Sequence, residues 1–132
     1  YRRMVRMGGA IDADSPPEAL HELRKKGKEL RYLLEFFAPI FPSEVVRPMV
    51  TTLKGLQDVL GRFQDREVQA DLLRSLGDDV AALEGGAPAL MAMGVLVQRL
   101  LADQAAARAE FSESFAAFAA KPQREVVAET FG

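Results

Sequence analysis

Apolar residues return every three or four positions along most of this chain. One seam runs through Leu20, Leu23, Gly27, Leu30, Leu34 and Phe37, and a second through Met49, Leu53, Leu56, Leu60 and Phe63. A third runs through Leu90, Met93, Val97, Leu100, Gln104, Ala107, Phe111 and Phe118. Steps of three and four place such residues on one face of an α-helix. No stretch alternates apolar and polar residues as a half-buried strand does. The pattern therefore predicts main helices over 16–38, 43–62, 65–83 and 88–120. Residues 1–9 read as the end of a preceding helix, YRRMVRM stopped by Gly8 and Gly9. Residues 121–132 are a tail of uncommitted conformation.

Local chemistry supports these boundaries. In DADSPPE, Ser15 is placed to cap, Pro16 suits a first turn, and Glu18 follows Ser15 by three as in a capping box. Pro39 and Pro42 end the first long helix, Gly85-Gly86 ends the third, and Lys121-Pro122 ends the fourth. Asp65 reads as the start of the third helix. Short connections make neighbouring helices antiparallel. The expected fold is all-α, an up-and-down four-helix bundle forming a single domain over 1–132. The helix over 88–120 would be near 50 Å long at 1.5 Å per residue, well beyond the helix over 16–38. Its excess has no partner in a simple bundle.

Composition narrows the function. A chain of 132 residues buries about 65–70% of its unfolded surface and builds a real core. Its hydrophobic share of 48% and charged share of 27% are those of a globular protein. No apolar run approaches the roughly 20 residues that span a bilayer, and no signal-peptide pattern is present. The absence of cysteine rules out disulfides and thiolate metal sites and fits a reducing, cytoplasmic setting. The chain begins at Tyr1 rather than Met, so we expect it to be a piece of a longer protein. Its net charge of −2 hides an asymmetry. Residues 1–66 carry twelve Lys and Arg against nine Asp and Glu, whereas residues 67–132 carry five against ten. A mildly acidic total argues against general coating of nucleic acid but leaves room for one anion site in the first half.

That site is expected in HELRKKGKELRY, residues 21–32, which holds the single histidine and five of the 17 Lys and Arg. His21, Arg24, Lys28 and Arg31 step by three, four and three, so they share a helix face about 15 Å long. Each follows a seam residue by one position, which places the row about 100° from the core. Lys54, Gln57 and Gly61 repeat that offset on the next helix, so Lys54 is positioned to approach the same groove. Read from spacing alone, a charge run favours a solvated face over a ligand site. Gly27 adds a further observation, because mid-helix glycine costs about 1 kcal/mol against alanine. A close approach is expected there, more often by another helix than by a ligand.

The residues LHELRKKGKELRYLLEFF, followed by LKGLQDVLGRFQD, resemble the CHAD family of α-helical domains. The family pattern sets a histidine, Arg, Lys and Arg-Tyr on one helix. A second helix carries L-K-x-L-Q-x-x-L-G, with Asp four residues after the Gly. Here these are His21, Arg24, Lys28, Arg31 and Tyr32, then Leu53, Lys54, Leu56, Gln57, Leu60, Gly61 and Asp65. Residues 67–132 match only as amphipathic helices. The resemblance implies a binding module rather than an enzyme, with no cofactor and no metal. Its ligand would be inorganic polyphosphate, held by His21, Arg24, Lys28, Arg31 and Lys54, with Lys25 and Arg62 at the margin. Tyr32 and Asp65 would be structural, the tyrosine ring packed at the core edge, and Gln57 open to either role. His21 would contribute more in acid, because imidazole gains charge near neutrality. The resemblance also implies two bundles side by side, of which this chain supplies the C-terminal half, because it has one basic helix where a full domain has two. A missing N-terminal half or a second copy would complete the site. A CYTH domain in the full-length protein and a location at polyphosphate granules are further implications.

Rival readings have fewer parts. Glu18 to His21 spells E-x-x-H, a di-iron signature, but that centre needs two such motifs and the chain has one histidine. A histidine phosphotransfer module is also a four-helix bundle, with H-x-x-K-G around its histidine. Here Arg24 and Lys25 stand where Lys and Gly belong. A plain protein-interaction bundle is the remaining alternative. Other catalysis lacks a cysteine nucleophile, a phosphate-cradling glycine loop and a base paired with any serine.

Overall fold

The computed structural model describes residues 1–132, and every regular element in it is helical. In chain order these are α1 (Arg2–Gly9), α2 (Pro17–Phe37), a 3-10 turn (Ala38–Ile40), α3 (Ser43–Ser75), α4 (Gly77–Ala81), α5 (Gly86–Phe118) and α6 (Lys121–Phe131). The all-α expectation holds, but the division into four main helices over 16–38, 43–62, 65–83 and 88–120 does not. The predicted helices over 43–62 and 65–83 are largely one helix of 33 residues, with a short α4 after it. Asp65 is therefore an interior residue of α3 and starts nothing. Gly61 costs the helix only about 1 kcal/mol, and the buried seam runs past it from Leu60 through Phe63 to Ala70. The tail after Pro122 is helical as well.

The start of α2 also differs in detail. Pro16 is the residue before the first turn, and no side chain caps that turn. The Ser15 hydroxyl instead accepts from the Asp12 amide at 2.9 Å and donates to the Asp12 carboxylate at 3.1 Å. The Arg108 guanidinium of α5 fastens the same loop by donating to the carbonyls of Asp12 and Ser15.

Helix α3 is the spine. It runs antiparallel to α2, with His21 opposite Glu67 and Arg31 opposite Gln57. It also runs antiparallel to α5, with Arg62 opposite Glu110 and Arg66 opposite Asp103. The α2 seam (Leu20, Leu23, Leu34) meets Met49, Leu53, Leu56, Val59, Leu60 and Phe63 of α3 in one core. Ala107, Phe111 and Phe118 of α5 complete it, with Met4 of α1 and Val127 of α6. No charged or polar residue is buried. At Gly27 the expectation of a neighbouring helix is met twice. A Cβ there would lie 3.3 Å from Met4 of α1 and 3.5 Å from Gln57 of α3.

The length of α5 is answered by the length of α3, since both have 33 residues. Beyond the core the two continue as a paired arm. Val68 and Leu72 on α3, and Met91 and Val95 on α5, are exposed there. Phe37, read as a seam residue, is 41% exposed at the end of α2. It lines an apolar groove of about 410 Å³ with Leu30, Leu33, Phe41 and Phe131.

Candidate anion-binding groove

The 100° offset between the α2 seam and its basic row has a direct outcome. Leu20, Leu23 and Gly27 are buried, while His21, Arg24 and Arg31 are half-buried at their flank and Lys28 is exposed. Because α3 packs antiparallel alongside, the row faces the α3 surface that carries Gln57, Gly61 and Asp65. Between them lies an open groove of about 400 Å³. Arg24, Lys28 and Arg31 form its α2 wall, and Gln57, Asp58, Gly61, Arg62, Asp65 and Arg66 form its α3 wall. None of these nine residues is hydrophobic. Gly61 leaves the floor open, since a Cβ there would meet only the Arg24 Nε, at 3.9 Å.

The cations differ in how they are held. Arg24 and Lys28 make no hydrogen bond or ion pair. Arg31 donates to the Gln57 Oε1 at 3.3 Å, and its Nε lies 3.6 Å from Glu35. Arg62 donates both terminal nitrogens to Glu110, at 3.0 and 2.9 Å, and its Nε is 3.6 Å from Asp103. Arg66 donates to Asp103 at 2.7 Å and to Gln69 at 2.8 Å. The bond from Arg66 holds the Asp103 carboxyl below the usual aspartate range, and the charges of Arg62 and Arg66 add to this. The Glu110 bond holds the Arg62 guanidinium above its usual value. The Nε groups of Arg31 and Arg62 are buried and have no hydrogen-bond acceptor.

Four of the seven residues singled out from the sequence line the groove: Arg24, Lys28, Arg31 and Arg62. The other three do not. His21 sits one turn before Arg24, where its Nε2 bonds the Glu67 carboxylate at 2.9 Å and its ring meets the edge of Phe63. Lys25 points to Glu22, 2.7 Å away. Lys54 lies past the Arg31 end, 4.0 Å from Glu35, because antiparallel packing sets it opposite the end of α2. Tyr32 is 55% exposed rather than packed at the core edge, and the Arg31 guanidinium stands 5.4 Å from its ring centre. Asp65 lines the groove instead of capping a helix. Arg66 was missed, although it follows Arg62 by four and so shares its helix face.

This arrangement has the chemistry of an anion cradle. Two guanidinium walls offer forked donors and Lys28 offers a point charge, so five cations line the groove against the two carboxylates of Asp58 and Asp65. No helix is long and apolar enough to cross a membrane. A protein-family model, the CHAD domain, matches residues 1–74, the part of the chain that holds α1, α2 and α3. No curated protein matches the chain.

Proposed function

The chain belongs to the CHAD domain family, and on that premise we propose that its groove is a non-catalytic binding site for inorganic polyphosphate or a similar polyanion. The observation that carries the reading is the unpaired state of Arg24 and Lys28. Two neighbouring cations without partners repel each other, and an anion laid along α2 removes that cost. From Arg24 to Arg31 the row extends about 10 Å, enough for several consecutive phosphates. No aromatic ring lines the groove, so it lacks the stacking platform that single-stranded nucleic acid uses. Arg24, Lys28 and Arg31 are the principal contacts, Arg62 and Arg66 stand on the opposite wall, and His21, Lys25 and Lys54 act only at the ends.

The test is a polyphosphate titration at several salt concentrations. Three phosphate contacts from α2 predict a log–log slope of affinity against salt of about −2, taking about −0.7 per contact from single-stranded nucleic acid. An Arg24/Lys28/Arg31→Ala variant should lose most of the affinity and most of the slope. Unchanged binding in that variant would defeat the proposal. A histidine phosphotransfer role is less well supported, because the His21 Nε2 is already held by Glu67. The open side of the groove leaves room for a second basic helix, from a second copy or from another half-domain. Sedimentation with and without polyphosphate would detect the former.

A further inference from the structure

The two walls of the groove are not electrostatically equal. On α2, Arg24 and Lys28 have no carboxylate partner, and Arg31 has only Glu35, 3.6 Å from its Nε with no hydrogen bond between them. On α3, both arginines are met by carboxylates that come from α5. Glu110 takes both ends of Arg62 at 3.0 and 2.9 Å, and Asp103 lies 3.6 Å from Arg62 and 2.7 Å from Arg66. Neither carboxylate is needed as core, since no charged residue is buried. Both are substantially exposed and reach the groove only through the arginines they hold.

We infer that Asp103 and Glu110 are built-in competitors of the anion, residues that set how much charge a ligand needs in order to occupy the groove. This rests on the anion-binding reading given above. The competition holds whether or not a guanidinium swings free when the ligand enters. If Arg62 and Arg66 stay paired, they contribute no phosphate contact. If they leave, two carboxylates remain within a Debye length of the bound phosphates, about 10 Å at 0.1 M salt. In either case the α3 wall gives the ligand little net attraction, and the α2 row does most of the binding. A lone phosphate, which meets only one or two cations, gains least from such a groove. A chain of phosphates that engages the whole α2 row gains most. The polarised state of the pairs is in keeping with this, since Asp103 is held ionised and Arg62 is held charged.

The experiment compares wild type, Asp103→Asn/Glu110→Gln and a charge control, Glu113→Gln, in the full chain. Glu113 is exposed on α5 and makes no ion pair. Each is titrated with linear inorganic polyphosphate of one defined length over a range of salt. The double variant frees two cations, so its slope should steepen by about 1.4, from about −2.1 for three contacts to about −3.5 for five. Extrapolated from 1 M salt, that is roughly 25-fold tighter binding at 0.1 M. The control should keep the wild-type slope. A double variant that stays folded with an unchanged slope, or binds more weakly, would overturn the inference, because the carboxylates would then be positioning the arginines. A wild-type slope already near −3.5 would overturn it too. Absence of wild-type binding would instead bring down the anion-binding reading itself. If the double variant melts early, Glu110→Gln alone decides the matter with half the change in slope.

Discussion

Gly8, Gly27 and Gly61 lie on α1, α2 and α3 in that order, and alanine at each gives a graded test of the packing. In a helix interior Gly→Ala gains about 1 kcal/mol, provided that the added Cβ has room. At Gly61 the Cβ would meet only the Arg24 Nε at 3.9 Å, an ordinary contact. Gly61→Ala should therefore keep nearly the whole gain. For 132 residues, an unfolding entropy of about 2.1 cal/mol/K per residue converts this to a rise in melting temperature of about 4 °C. At Gly27 the Cβ would lie 3.3 Å from the Met4 methyl and 3.5 Å from Gln57. Methionine yields easily, so the gain should shrink to about 0–0.5 kcal/mol rather than reverse. At Gly8 the Cβ would overlap the ring of Phe115. The ring has to move out of the core edge, and the cost should be about 1–3 kcal/mol. Thermal melts followed by far-UV circular dichroism would rank the three variants. An order of Gly61, Gly27, Gly8, from most to least stable, is expected. Destabilisation by Gly61→Ala, or equal gains at Gly61 and Gly27, would refute the reading of one glycine as open floor and the other as a helix crossing.

Further outcomes follow from the same contacts. Leu56 of α3 is fully buried in the core, and Leu56→Ala should cost about 2–5 kcal/mol in urea denaturation; a loss below about 1 kcal/mol would mean that the core closes over the gap. The Asp103 carboxyl titrates below its ordinary value of 3.8 in the folded protein. Its stabilising contribution is therefore fully present above that value and is lost as pH falls through the lower folded one. The stability difference between wild type and Asp103→Asn should therefore hold steady above about pH 5 and shrink as pH falls below about 4, and a difference that stays constant in acid would count against the Arg66 pairing. Arg108→Ala removes the two bonds to the α1–α2 loop, which should cost about 1–3 kcal/mol and raise amide exchange at residues 11–15.

How far the sequence could be read depended on the range of the interaction concerned. The basic row was legible because His21, Arg24, Lys28 and Arg31 lie within a few turns of one helix, where spacing alone fixes the face. The bond between Gln57 and Arg31 was not, because it spans 26 residues. The false break after Gly61 came from local signals, a glycine followed by an aspartate, each worth about 1 kcal/mol. Continued packing of α3 on a partner of equal length outweighed them. Ser15 was misread for a similar reason, since its hydroxyl had two local options and the turn at Asp12 took it.

By itself the sequence determined that the chain is helical, where α2 and α5 begin and end to within a few residues, and which side of α2 carries unburied charge. These follow from periodicity and from end signals that act over one or two turns. Only the tertiary structure decided which cations remain free. The carboxylates that engage His21, Arg62 and Arg66 lie 46, 48 and 37 residues away along the chain. They meet their partners only because α3 runs antiparallel to both α2 and α5. Charge is visible in a sequence, but its neutralisation depends on distance in space, and that distance is set by how the buried seams fit together.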